Sequence, residues 1–436
     1  MKTFLRISLV LFSAFPLTFA QNANIWVDTN GGSCTRQATP AVYNDAAACP
    51  SFSAAYNVAL GGDTIYVKAG TYGAQSIPSR SLGTSMVTIS EAPGENVTTG
   101  AISISTNYIA VNGFNLGNNG ISISRAGSGG VCSRSHVTVS NNVMAGVNAG
   151  INGGCIDTLV LQGNDVSGTN VCQGGPEDSL QLSGDAGGGV WGESTPTNVT
   201  LRNNYIHDMG TAFAQCGAHA DGFQSAGCAH CMIDGNRWNN TDTSTVIIYA
   251  PNTGSSTQIV DITLQNNSVG NVHTGSHGFS IGGGTCLGSN NIIAQNNTYW
   301  TANTHDLNCT TGSSNGTARN NLYAANDGGF SCTGAGVNNL VWDRNVYATG
   351  MTGCGTNKKN CTASFVDSSH AGGNVDLNSS DTCAKDYVPA TAVYPNKDIH
   401  ATARPQGAAI DAGADEYVGT SAQGPTAPAG LSAIVQ

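Results

Sequence analysis

The sequence predicts an all-β solenoid of stacked coils, and three observations carry that expectation. Eight times between residues 142 and 345 the chain runs apolar-x-apolar-polar-x-Asn, with the Asn at 142, 164, 204, 236, 267, 297, 321 and 345. The segments VTVSNN, LVLQGN, VTLRNN, CMIDGN, ITLQNN, IIAQNN, GTARNN and LVWDRN place successive Asn residues 22, 40, 32, 31, 30, 24 and 24 positions apart. The shortest intervals define a unit of about two dozen residues, in the range where periodicity means a solenoid. The residue two before each Asn is Ser140, Gln162, Arg202, Asp234, Gln265, Gln295, Arg319 or Asp343. It is always polar, as an outward-facing site on a half-buried strand requires. A β-sandwich with Asn-rich turns predicts turn signals without that fixed polar partner.

From the N terminus, Lys2 and Arg6 precede an apolar run from Ile7 to Leu17 and the small-residue site Thr18-Phe19-Ala20. Residues 1–20 therefore read as a secretory signal, too short for a stop-transfer helix. The next region, 21–75, is expected to form a cap and the first strands. Asn24-Ile25-Trp26-Val27-Asp28 suits a strand, and Phe52 to Leu60 suits a short amphipathic helix that plugs the open end of the solenoid. Gly61-Gly62-Asp63 then turns into the next strand. The coils are assigned to 76–417. Each ends in an Asn that tolerates a left-handed corner and whose amide can bond the identical amide one coil away. Residues 418–436 read as a flexible tail.

All fourteen Cys follow the leader, which fits an oxidising compartment. Cys34 with Cys49 would staple the N-terminal region, while Cys354, Cys361 and Cys383 crowd the C-terminal end. Cys286, Cys309 and Cys332, spaced by 23, suit one column on consecutive coils. Cys216-x-x-His219 with Cys228-x-x-Cys231 has zinc-like spacing, although in a secreted chain disulfides, with Cys172 as partner for Cys216, are the expectation. Removing the leader takes two cations away, so the formal charge of −11 becomes −13. An acidic chain without a basic stripe excludes nucleic acid as the expected partner. The expected form is a monomer without a transmembrane segment, secreted to the extracellular space or held at the cell surface by other means.

Strand-turn-strand coils with variable insertions resemble the pectin-lyase-like superfamily, which implies a right-handed parallel β-helix solenoid with an N-terminal capping helix. The opening SFSAAYNVALGGDTIYVKAGTY resembles the start of many such proteins. PQGAAIDAGADEY, residues 405–417, resembles the closing signature of secreted bacterial β-helix proteins of choice-of-anchor type.

A second series of segments runs between the ladder strands: GPEDSLQLSGD, GAHADGFQSAG, TGSHGFSIGGG, NTHDLNCTTG and ANDGGFSCTG. Aligned on Leu180, Phe223, Phe279, Leu307 and Phe330, they collect Asp178, Asp221, His277, His305, Asp306 and Asp327 at one corner of adjacent coils. Paired carboxylates stacked about 4.8 Å apart cannot both ionise easily, so one can act as acid and the other as base, as glycoside hydrolysis needs. SHGFSIGG, residues 276–283, resembles the Gly-His-Gly-Ile-Ser-Ile-Gly segment of polygalacturonases, with Glu177-Asp178 and Ala220-Asp221 standing in order for its two acidic segments. Ala220 replaces an Asp of that pattern, and no Arg-x-Lys segment follows.

These readings make Asp178, Asp221 and His277 the candidate catalytic residues of a polysaccharide-cutting glycoside hydrolase, with Gln181, His219, Gln224, His305 and Asp306 contacting sugar. A polysaccharide lyase of the same fold is the alternative. It would need Arg or Lys as base and Arg or Ca²⁺ as charge partner, with Arg202, Arg237 and Arg319 as candidates. The third expectation is a non-catalytic adhesin whose Asp residues cap turns. No metal ligand set is assigned. Ca²⁺ stays open, because Asp, Asn and turn carbonyls are hard oxygen ligands, yet no calcium-loop pattern occurs. The expected partner is an extracellular polysaccharide.

Overall fold

The computed structural model describes residues 21–419, except 129–130, 147–149, 169–177, 186–191, 210–219, 250–257, 271–276, 283–289, 302–304, 309–313 and 326–338. The chain winds as an all-β parallel β-helix. Among the described residues, two sheets of twelve strands and one of nine run along its length, each strand hydrogen-bonded to its counterparts on the neighbouring coils. Every pairing in these sheets is parallel; one short antiparallel hairpin joins Gly127–Ser128 to Val131–Cys132. The first sheet runs from Ile25–Val27 to Asn339–Asp343 and contains the repeat strands. The second runs from Gly70–Tyr72 to Lys359–Asn360, and the third from Gln75–Ile77 to His305–Asn308. Among the described residues no helix is long and apolar enough to cross a membrane.

The strands form because their apolar residues alternate. In Ile156–Gln162, Leu159 and Leu161 are buried while Gln162 is exposed. Stacking such strands gives one continuous core in which Ile89, Val111, Val139, Leu161, Leu201, Ile233 and Leu264 follow one another on successive coils. A helix over Phe52–Val58 covers the N-terminal end, capped by Ser51 Oγ, which accepts the Ala54 N–H at 3.1 Å. Phe52, Ala55 and Tyr56 face the core.

All eight repeat Asn residues are buried. Each Nδ2 donates to Oδ1 of the next: Asn142 to Asn164 at 3.1 Å, Asn164 to Asn204 at 3.0 Å, Asn204 to Asn236 at 2.9 Å, and so on to Asn345. The same Oδ1 atoms accept the backbone N–H of the preceding Asn, so main chain and side chain are fastened together at every step. The ladder begins at Asn142, whose Oδ1 accepts the N–H of Phe114 on the coil before. One detail departs from expectation. The left-handed residue at the corner is the one preceding the ladder Asn, for example Asn141, Asn203, Asn266, Asn296, Asn320 and Arg344, with φ between 51° and 56°. The ladder Asn is thereby freed to point inward.

The coils stop at Lys359–Asn360 rather than at 417. From Cys361 to Gly419 the chain is irregular apart from one short 3-10 turn at Ala371–Gly373, and it folds back along the second sheet. Ser268 Oγ donates to the Gly373 carbonyl at 2.6 Å, and Ala414 N–H donates to Thr298 Oγ1 at 2.8 Å. Disulfides join Cys34 to Cys49, Cys132 to Cys155, Cys228 to Cys231, and Cys361 to Cys383. The Cys228–Cys231 bond removes those thiols from any zinc set. Cys172, Cys216, His219, Cys286, Cys309 and Cys332 lie outside the described residues.

Candidate polysaccharide-binding face

The third sheet organises the stripe. Its register puts Ser76, Ser103, Ser122, Asn152, Gln181 and Gln224 directly above one another on six consecutive coils. Their strand neighbours Ile102, Ile121, Ile151, Leu180 and Phe223 point into the core. The column continues through Ile247 and Ser280 to Asp306. Nine positions at about 4.8 Å make a strip of roughly 38 Å.

An open cleft of about 350 Å³ lies on this strip, lined by Ser122, Ser124, Arg125, Asn152, Gln181 and Ser183. Arg125 Nη1 pairs with Asp185 Oδ2 at 2.8 Å; the arginine side chain is 56% exposed, the aspartate 2%. The local sequence explains the approach. A Cβ on Gly154 would stand 2.6 Å from the Asp185 carbonyl oxygen and 2.8 Å from Arg125 Cγ, so only glycine lets the two segments meet. The buried carboxylate fixes the position of the guanidinium beside the cleft. Sequence reasoning missed Arg125, although its position directly after the outward pair Ser122 and Ser124 was a readable signal.

Asp178 and Asp221 sit on neighbouring coils, as expected, but beneath the surface, each 1% exposed. Asp178 Oδ1 accepts the Asp221 N–H at 2.8 Å, and its Oδ2 accepts from Gln181 Nε2 at 2.8 Å. The second proton of that amide goes to Gln224 Oε1 at 3.0 Å. Asp178 therefore orients the two glutamines. With both amide protons committed, Gln181 can offer a ligand its acceptor oxygen, while Gln224 keeps its NH₂ as donor.

His277 stands farther off than the sequence alignment placed it. The strand Ser244–Tyr249 intervenes, pairing with Phe223–Ala226 on one side and His277–Gly282 on the other. Asp221 and His277 are thus two coils apart, about 9.6 Å by strand spacing, with Ser244 at the level between them. The alignment of Leu307 is also shifted by two: His305 pairs with Phe279, and Leu307 with Ile281. His277, His305 and Asp306 are placed by their strands alone, while His219, Glu177 and Asp327 lie outside the described residues. The three arginines weighed for lyase chemistry occupy the other two sheets. Arg202 pairs with Asp234 at 3.4 Å, Arg319 donates to Gln295 Oε1 at 2.9 and 2.8 Å, and Arg237 stands beside the C-terminal segment.

No protein-family model and no curated protein matches the chain. Solved structures do. Pectate lyase Pel9A aligns with a TM-score of 0.41 and 15% identity, covering 90% of this chain and 96% of that one. A rhamnogalacturonan lyase aligns with a TM-score of 0.36 and 10% identity, covering 82% of this chain and 95% of that one. Likeness at this level does not extend to individual site residues.

Proposed function

We propose that the protein acts on an extended extracellular polysaccharide lying along the outer face of the third sheet, with its cleavage chemistry directed at an acidic sugar. The observation that carries this reading is the in-register column, polar at every level from Ser76 to Gln224, with a cleft whose ionisable lining group, among the described residues, is Arg125. Ser, Asn and Gln side chains suit sugar hydroxyls, and a guanidinium held in place by Asp185 suits a uronate carboxylate. Neutralising that carboxylate makes the neighbouring C–H proton easier to remove, which is the requirement of a lyase.

Hydrolysis by Asp178 and Asp221 is the second reading, favoured by their stacking on adjacent coils. The burial of both, and the hydrogen bonds that Asp178 accepts from Gln181 and from the Asp221 backbone, weigh against it, because a general acid must reach the glycosidic oxygen. The test is an activity screen on pectic, alginate, xylan and glucan polymers, following ultraviolet absorbance from unsaturated sugars and new reducing ends together. The expected result is unsaturation on an acidic polymer, reduced at least tenfold in Arg125→Gln. New reducing ends without unsaturation, lost in Asp221→Asn and retained in Arg125→Gln, would replace the lyase reading with the hydrolase. Binding without either product would leave an adhesin.

A further inference from the structure

We propose that Asp376, His400 and Asp415 form a binding site for a first-row divalent cation such as Zn²⁺, which staples the irregular C-terminal segment together. One ligand atom from each lies within 4.8 Å of the others. His400 Nε2 is 2.6 Å from Asp376 Oδ1 and 3.8 Å from Asp415 Oδ1. The second distance is beyond a hydrogen bond. The Asp415 side chain is more than nine-tenths buried, and its Oδ2 is already taken by the Leu377 N–H at 2.7 Å. Its Oδ1 is left turned toward the space between the imidazole and Asp376.

The surroundings are built to hold that arrangement. Val375, Ile399 and Ala414 converge on Trp300 in one apolar cluster. Each ligand is the next residue after one of these, so the same packing that seats the three stretches on Trp300 brings their polar successors together. Asp398 fixes the main chain from behind, accepting the His400 N–H at 2.9 Å through Oδ1 and the Glu416 N–H at 3.1 Å through Oδ2. An apolar floor with outer carboxylates on the ligand backbone is what a metal site needs in order to keep its geometry. Charge points the same way: three aspartates gather here against one arginine, Arg237, whose Nη2 is 3.5 Å from His400 Nδ1. That contact is on the far ring nitrogen and at the limit of a hydrogen bond, so the guanidinium can turn aside when Nδ1 carries the ring proton. One nitrogen and two carboxylates suit Zn²⁺, Mn²⁺ or Co²⁺, whereas Ca²⁺ prefers oxygen alone.

The benefit to the fold is specific. The segment from Cys361 to Gly419 has no paired strands of its own beyond isolated bridges and one disulfide, Cys361–Cys383. The three ligands come from stretches 24 and 15 residues apart, and a metal bond closes both loops.

The full chain, stripped with a chelator and passed over a desalting column, is to be titrated with Zn²⁺, and separately with Co²⁺ read by its visible absorption. We expect one equivalent of Zn²⁺ per chain, and at least tenfold longer survival of the 361–419 region against protease with metal than without. His400→Gln, in which the half-exposed ligand is removed, should lose both effects and the Co²⁺ bands while keeping the circular dichroism of the solenoid. Asp415→Asn should do the same; should that variant fail to dock the segment, His400→Gln alone decides. No bound metal in the wild type, or unchanged stoichiometry and Co²⁺ spectrum in His400→Gln, would overturn the proposal.

Discussion

Replacing Asn236 by Ala tests the ladder at its centre. Asn236 Oδ1 accepts the Asn204 N–H at 3.0 Å and Asn204 Nδ2 at 2.9 Å, while its own Nδ2 donates to the Leu201 carbonyl at 3.0 Å and to Asn267 Oδ1 at 3.1 Å. Alanine removes all four, together with a longer bond from Nδ2 to the Asp234 carbonyl at 3.3 Å. Asn267 Oδ1 keeps the Asn236 backbone N–H at 3.0 Å, and Asn204 Nδ2 keeps the Leu161 carbonyl at 2.9 Å. The Asn204 N–H, by contrast, is abandoned in a site with 1% exposure. A buried donor left unpaired costs about 1–3 kcal/mol, and each of the three remaining bonds of the four about 1 kcal/mol, so the expected loss is about 4–6 kcal/mol. Urea titration followed by circular dichroism measures it, provided the slope matches the wild type. Asn236→Asp should be worse, since it buries a charge and turns an acceptor toward the Leu201 carbonyl. A loss below about 1 kcal/mol for the alanine variant would mean that the ladder follows the fold rather than holding it.

Three further outcomes follow from single sites. Gly270→Ala should destabilise by about 2 kcal/mol or more, because its Cβ would lie 2.2 Å from Trp300 Cε2; Gly73→Ala, with nothing within 4 Å, is the control. Gln181→Ala should weaken polymer binding at least fivefold in affinity electrophoresis without changing the melting temperature by more than a few degrees, since Gln181 is only part-buried. His207 is opposed by burial, yet its hydrogen bonds to Asp165 and Asp208 more than compensate and raise it above the ordinary 6.5. The ring should therefore titrate above 6.5 by NMR. Its contribution to stability should be complete below that value and fade as pH rises through the folded one, and Asp165→Asn should bring the titration down.

The fold was legible because the ladder residue is chosen by a constraint that repeats on every coil. An amide that must bond its own copy above and below cannot drift, so Asn survives while the strand before it varies from VTVSN to LVWDR. The stripe was less legible because its strands share no such bond. Ser244–Tyr249 reads STVIIY, all core and hydroxyl, without the Asp-Gly or His-Gly signal of its neighbours, and omitting it moved His277 one coil too close to Asp221. The shift at Leu307 has the same origin: His305 takes the level of Phe279, an apolar position that a histidine does not announce. Burial of Asp178 and Asp221 was likewise invisible, since an Asp after a Gly-rich turn looks the same whether it faces solvent or caps backbone.

The C-terminal signature gains a physical reason from Arg404. Its side chain is fully buried and pairs with Glu416 at 3.0 Å, while its guanidinium also donates to the carbonyls of Asp411 at 3.1 Å and of Gly413 and Ala414 at 2.9 Å each. Glu416 in turn accepts the N–H groups of Gln406 and Asp411. PQGAAIDAGADEY is thus a loop wound around one guanidinium, held against the solenoid by Asn296 Nδ2 donating to the Asp411 carbonyl and by Gly413, where a Cβ would meet Thr298 Oγ1 at 2.6 Å. Removing the arginine strands the buried Glu416 charge together with the Gly413 carbonyl, whereas the Asp411 carbonyl keeps Asn296 Nδ2 and the Ala414 carbonyl keeps the Ile399 N–H. Arg404→Met should therefore release the segment, at a cost of about 3–5 kcal/mol, seen as rapid proteolysis after residue 361 with the coils intact. Replacing both partners, Arg404→Met with Glu416→Leu, removes the stranded charge but leaves unpaired the Gly413 carbonyl and the Gln406 and Asp411 N–H groups. If the ion pair is the lock, the double variant should be no more stable than the single. If the carboxylate left behind is the main penalty, the double variant should recover most of the loss, and the signature would then be a device of shape rather than of charge.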